Sequence, residues 1–86
     1  MITVMNKNIL IQVAGWLGML AVLLAYALVS LSLIEPNSMS YHLLNLFGAI
    51  GIITVSVKKA VWQSVGVNVA WAIIASLALV GIIFYT

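Results

Sequence analysis

The chain has 86 residues, of which 66% are hydrophobic and only 5% charged, with a net charge of +2 and a mean hydropathy of +1.34. A soluble domain contains about 25% charged residues, so a water-soluble fold of this composition would have no polar surface. The absence of cysteine excludes disulfides and cysteine-bound metals, and three lysines are too few for the basic patch of a nucleic-acid-binding protein. We therefore expect a single domain, residues 1–86, whose solvent is a lipid bilayer.

Four charged side chains divide the sequence into uncharged stretches. Residues 8–34, 36–57 and 60–86 carry no charge, and the charges between them are Lys7, Glu35, Lys58 and Lys59. A helix of about 20 apolar residues crosses the roughly 30 Å hydrocarbon core of a bilayer. We predict an all-α membrane protein, a compact bundle of three transmembrane helices at about residues 9–34, 40–57 and 62–85.

The first stretch also resembles a signal peptide, because Lys7, an apolar run and Ala25-Tyr26-Ala27 follow the order of a charged start, a core and a cleavage site. We favour a membrane crossing, because the apolar run continues as LVSLSLI beyond that site. Glu35-Pro36-Asn37-Ser38 then predicts a turn, since proline disfavours helix at the residue before it and Asn and Ser suit turns and helix caps.

The second stretch is the most polar of the three, with His42, Asn45, Thr54 and Ser56 among its residues. Such a helix prefers protein neighbours to lipid tails, so we expect it to be the packed or pore-facing helix. Short loops make successive helices alternate in direction.

Lysines concentrate in cytoplasmic loops, so we expect Lys7 and the Lys58-Lys59 pair inside, and Glu35 and the C-terminus outside. This predicts a multi-pass membrane protein with its N-terminus in the cytoplasm and its C-terminus outside, although a dual topology stays open. Amphipathic rings favour the headgroup level, which places Trp62 at the inner interface and Tyr41 and Tyr85 at the outer one.

No carboxylate lies within a crossing, which argues against a carboxylate proton relay. His42 lies near a helix end, and an interfacial histidine is favoured over a proton carrier or metal ligand, because no second histidine or acid lies within the membrane. One His and one Glu cannot form a nucleophile–base pair, an acid pair or a metal cluster. We therefore expect neither an enzyme nor a cofactor.

Two asparagines within the crossings need partners that hydrocarbon cannot supply. Asn45 and Asn68 are expected either to join helices or to bind a solute. By depth, Tyr26 lies level with Asn45 and Trp16 with Asn68, and we hypothesise that these pairs line or close a cavity. Trp71, at mid-helix, either packs in the core or stacks on a solute.

Small residues share a face of each of the first two helices. Ala14, Gly18, Ala21 and Ala25 follow alternating spacings of four and three and so share one face of the first helix, and Gly48 and Gly51, three residues apart, share one face of the second. Such faces let backbones approach closely. Helix packing is the favoured interpretation, and a narrow pore is the alternative.

Three runs of sequence carry a resemblance to known proteins. These runs are GWLGMLAVLLAYALVS, YHLLNLFGAIG and VWQSVGVNVAWAIIASLAL. Their order and spacing resemble a family of small bacterial three-helix membrane proteins, often labelled permease or transporter in genomes without a demonstrated substrate. The matching positions are Gly15, Trp16, Gly18, Tyr26, Leu28, Tyr41, Leu44, Asn45, Gly48, Trp62, Asn68 and Trp71.

A more distant resemblance is to the three-helix unit of the PQ-loop superfamily, which includes the SemiSWEET sugar transporters. There an asparagine early in the third helix contacts the sugar, and Asn68 occupies a similar place. This resemblance implies a parallel dimer with a central solute path. The proline-glutamine hinge of that superfamily is missing, since Tyr26-Ala27-Leu28 stands there, which argues against alternating access by that hinge.

Two functions remain open from the sequence. The first is a permease-like homodimer that binds or passes a small neutral polar solute, with the two asparagines as polar contacts and the three aromatics as walls. The second is a small membrane subunit that assembles with a larger membrane partner through its small-residue faces.

Overall fold

The computed structural model describes residues 7–85, with the side chain of Tyr85 outside the described part. The chain forms three α-helices, α1 (Lys7–Ser30), α2 (Met39–Lys58) and α3 (Trp62–Tyr85). Each of the three is long and apolar enough to span a membrane. The prediction of an all-helical, three-helix protein is confirmed, and the length and composition of the helices are those of a multi-pass membrane protein.

The first helix ends four residues before the predicted boundary at Ile34. Ser32 has φ 61°, and the backbone N–H of Leu33 donates to the carbonyl of Leu28 at 2.8 Å while that of Ser32 donates to Val29 at 3.0 Å. This pair of bonds is a Schellman motif, which closes a helix with one left-handed residue. Glycine is the usual residue there, and the serine gave no such signal in the sequence.

The second helix ends in the same way. Ala60 has φ 56°, Val61 N–H donates to the Ser56 carbonyl at 2.9 Å, and Ala60 N–H donates to that of Val57 at 3.1 Å. At its start, Ser38 caps the helix, and its hydroxyl oxygen accepts a hydrogen bond from the backbone N–H of Tyr41 at 3.2 Å. The predicted turn before α2 therefore also supplies its N-cap.

The first two helices run antiparallel, with glycines at their contact. A Cβ atom on Gly51 would lie 2.5 Å from the carbonyl oxygen of Ala14, and one on Gly15 would lie 2.7 Å from Cγ1 of Val55. Gly15, Gly18 and Gly48 are buried, and Ala25 is fully enclosed. Because these positions carry no bulk, the two backbones approach more closely than larger side chains would allow.

Among the described residues, the middle helix alone packs on both of the other helices. Within residues 7–85, α1 and α3 each contact α2, but no Cα atom of α1 lies within 8 Å of a Cα atom of α3. On one side of α2, between α1 and α3, a groove is lined by residues of all three helices. We call this side the concave face.

Candidate functional site

The concave face holds a groove of about 420 Å³, at the end of the molecule where α1 begins and α2 ends. We call this the lysine end, after Lys7, Lys58 and Lys59, and the opposite end, with Glu35, the glutamate end. All three helices contribute to the groove. Its lining residues are Gln12, Gly15, Trp16, Met19, Ile52, Val55, Ser56, Lys59, Val61 and Ser64.

Two serines at the groove join α2 to α3. The Ser56 and Ser64 hydroxyl oxygens are 2.7 Å apart and share a hydrogen bond. Ser56 is 5% exposed, so its hydroxyl is buried and satisfied by a neighbouring helix. Ser64 was not among the residues predicted from the sequence, although its spacing of four from Asn68 indicates that the two share a helix face.

The two predicted asparagines bond to their own helices. Asn68 Nδ2 donates to the backbone carbonyl of Ser64 at 2.9 Å and approaches the Ser64 hydroxyl at 3.4 Å. Asn45 Nδ2 donates to the carbonyl of Tyr41 at 2.9 Å. Asn45 is 5% exposed and Asn68 is half-buried. In the described part of the chain, each asparagine amide thus donates within its own helix, and the hydrogen bond between helices is made by the serine pair.

One of the five residues predicted to contact a solute lines the groove, and helical periodicity relates the other four to groove residues. Trp16 lines the groove directly. Positions seven or four residues apart lie on the same side of a helix, so Tyr26 lies on the side of Met19, and Trp71 and Asn68 on the side of Ser64. Asn45 precedes the groove residue Ile52 by seven residues and therefore lies on the same side of α2.

Exposure separates these five residues into two groups. The three aromatic side chains are half or more exposed in a single chain: Trp16 by 62%, Tyr26 by 70% and Trp71 by 50%. The two amides lie closer to the helix contacts. The groove therefore has the exposed ring of Trp16 on its α1 side and the Ser56 hydroxyl on its α2 side. Periodicity puts Tyr26, Trp71 and Asn45 on the same sides of their helices as groove residues.

The remaining predicted residues lie elsewhere. Gly18, Gly48 and Gly51 lie in the α1–α2 contact, and Ala14 and Ala21 are half-buried. The side chains of Lys7, Glu35, Lys58 and Trp62 are exposed, and Tyr41 is half-buried, with its ring centroid 5.3 Å from that of His42.

Comparison with known proteins gives a family. A protein-family model matches residues 11–85, nearly the whole of the three helices. The chain belongs to that family. The family is uncharacterised, and no curated protein and no solved structure matches the chain.

Proposed function

We propose that this chain forms a permease-like homodimer, similar in plan to the SemiSWEET transporters, that binds a small neutral polar solute or facilitates its passage across the bacterial inner membrane. The observation that carries the proposal is the separation of α1 from α3. That separation leaves an open groove with the Ser56 hydroxyl on its α2 side and the exposed ring of Trp16 on its α1 side.

A second copy is the simplest cover for the concave face. Three helices alone enclose no channel, and hydroxyl and amide groups are poorly solvated by lipid tails. Two concave faces that meet would enclose a path lined by both copies of Trp16, Ser64 and Gln12. The lysine bias places both N-termini in the cytoplasm, which makes the dimer parallel.

The chemistry of the face favours a neutral solute. Charged side chains occur only at the two ends, with Lys59 at one mouth of the groove and Glu35 in the opposite loop. Between them, amide and hydroxyl groups can exchange hydrogen bonds with a polar solute, and aromatic rings can pack against its apolar faces. Asn45, Asn68, Tyr26, Trp71 and Trp16 are the proposed contacts.

Crosslinking through introduced cysteines tests the dimer, because the native chain contains no cysteine. Trp16 and Leu17 are 62% and 61% exposed, but only Trp16 lines the groove. With a short bis-maleimide in native membranes, we expect W16C to yield a crosslinked dimer and L17C to yield little. Leu23 and Leu24, 54% and 51% exposed, form a second matched pair. We expect L23C to crosslink and L24C to crosslink little, because Leu23 follows Trp16 by seven residues and lies on the same side of α1. Equal crosslinking within both pairs would contradict the proposed interface.

Uptake into liposomes tests the activity. We expect the reconstituted protein to admit at least one member of a panel of sugars and other small neutral solutes, and W71A to reduce that uptake. A dimer whose liposomes exclude the whole panel would contradict passage of a solute. A chain that remains monomeric and recovers with a larger membrane protein would favour the other candidate, a small subunit of a membrane complex.

A further inference from the structure

The lysine end of the groove carries a set of hydrogen-bond donors above an apolar wall. Lys59, the Gln12 amide and the hydroxyls of Ser56 and Ser64 all line it. The wall deeper in the membrane consists of aliphatic and thioether side chains, namely Met19, Ile52 and Val55. A ligand that fits both parts has an oxygen-rich head and a long apolar tail.

The positive charge of Lys59 lacks a counter-charge in the chain. The chain has one acidic residue, Glu35, and it lies in the loop between α1 and α2, whereas Lys59 follows the far end of α2. The two residues are separated by the whole length of a helix of 20 residues, about 30 Å. The groove therefore favours an anion at this end.

The groove lies at the depth in the bilayer that a phospholipid headgroup and the start of its acyl chains occupy. Its donors lie where α1 begins and α2 ends, which is the headgroup level for helices that span the bilayer. Because α1 and α3 do not meet, the groove is open sideways to the acyl chains. Basic pockets between transmembrane helices bind the headgroups of anionic lipids.

We propose that the lysine end of the groove binds the phosphate headgroup of an anionic phospholipid. Lys59 and Gln12 hold the phosphate oxygens, the Ser64 hydroxyl faces the glycerol region, and one acyl chain lies along Met19, Ile52 and Val55. The site is present in a single chain and does not depend on the dimer. Where two concave faces close on each other, the second copy competes with this lipid.

Tryptophan fluorescence can report the lipid directly, since Trp16 lines the groove. In a W62F/W71F background, Trp16 is the single remaining tryptophan of the chain. The protein is placed in phosphatidylcholine nanodiscs that contain a small fraction of a lipid with brominated acyl chains. The brominated lipid is phosphatidylglycerol in one sample and phosphatidylcholine in the other. We expect the brominated phosphatidylglycerol to quench Trp16 with an apparent affinity about fivefold higher, the effect of one lysine near an anionic lipid.

Lys58 supplies the matched control, because it is adjacent to Lys59, exposed and equally charged, but does not line the groove. We expect K59Q to abolish the preference for phosphatidylglycerol and K58Q to retain most of it. Equal quenching by the two lipids in the W62F/W71F protein with both lysines intact would overturn the proposal. An equal loss of the preference for phosphatidylglycerol in K58Q and K59Q would also overturn the proposal, because such a result would indicate diffuse attraction of anionic lipid to the protein surface.

Discussion

A Cβ atom on Gly18 would lie 2.6 Å from the backbone carbonyl oxygen of Gly48. The reverse contact is as close, since a Cβ atom on Gly48 would lie 2.7 Å from the Gly18 carbonyl oxygen. Real Cβ atoms do not approach backbone oxygens so closely, and neither carbonyl can move without shifting its helix. The α1–α2 contact therefore depends on the absence of a side chain at both positions.

We expect G18A to destabilise the protein by about 1–3 kcal/mol, the usual cost of forcing extra volume into a packed contact. Reversible unfolding in mixed detergent micelles measures this change. Gly66 is the control, because nothing lies within 4 Å of the position its Cβ would take. G66A should leave stability unchanged or raise it, since alanine favours helix over glycine by about 1 kcal/mol. Equal effects of G18A and G66A would contradict the close contact.

The left-handed residue at the end of α2 predicts a stabilising substitution. Ala60 has φ 56°, a conformation that costs a residue with a Cβ atom about 1 kcal/mol and costs glycine little. We expect A60G to raise the free energy of unfolding by about that amount. A70G, an exposed alanine inside α3, should lower it by about 1 kcal/mol. The same alanine-to-glycine substitution should thus change the free energy of unfolding in opposite directions at the two sites. A decrease at both would refute the left-handed conformation of Ala60.

The hydroxyl pair between α2 and α3 predicts an energetic coupling. Ser56 and Ser64 share a hydrogen bond of 2.7 Å, and bonds of this kind between membrane helices average about 0.6 kcal/mol. A double-mutant cycle with S56A and S64A should give a coupling of that order. The Thr54 hydroxyl instead donates to Ile50 in its own helix, so T54V and S64A should show no coupling. A similar value in both cycles would argue against the bond between helices.

The N-cap of α2 predicts a loss of stability of about 1 kcal/mol on removal of the Ser38 hydroxyl. That hydroxyl accepts a hydrogen bond from the N–H of Tyr41, so S38A leaves this N–H without its acceptor, whereas S38D keeps one. Thermal unfolding in detergent should rank S38A below both the native chain and S38D. S40A, in the same helical turn, is the control and should have little effect.

The number and approximate extent of the helices could be predicted from the charges alone, because Lys7, Glu35 and Lys58 lie at the ends of apolar runs. The end of α1 could not, because it depends on a left-handed Ser32 where glycine would have been the usual signal. The contribution of Gly15 was also missed, although it precedes Gly18 by three residues and shares its helix face.

The groove was harder to predict than the helices. In a membrane protein both the lipid-facing and the packed sides of a helix are apolar, so hydropathy does not indicate which side meets a neighbour. The sequence therefore predicted that Trp16 and Asn68 lie at similar depth in the bilayer. It did not predict that α1 and α3 are separated, which is what leaves the groove open. Ser56 and Ser64 belong to different helices, and their contact depends on the register of α2 against α3, which no local pattern encodes.

The separation of α1 from α3 has a consequence for biosynthesis. Within residues 7–85, α2 is the only helix with Cα atoms within 8 Å of those of α1, and domains emerge from the ribosome N-terminus first. The α1–α2 hairpin can thus complete its glycine-mediated packing in the membrane before α3 has been synthesised. The last helix then docks on a finished surface, and a chain truncated after Lys59 should still form the hairpin.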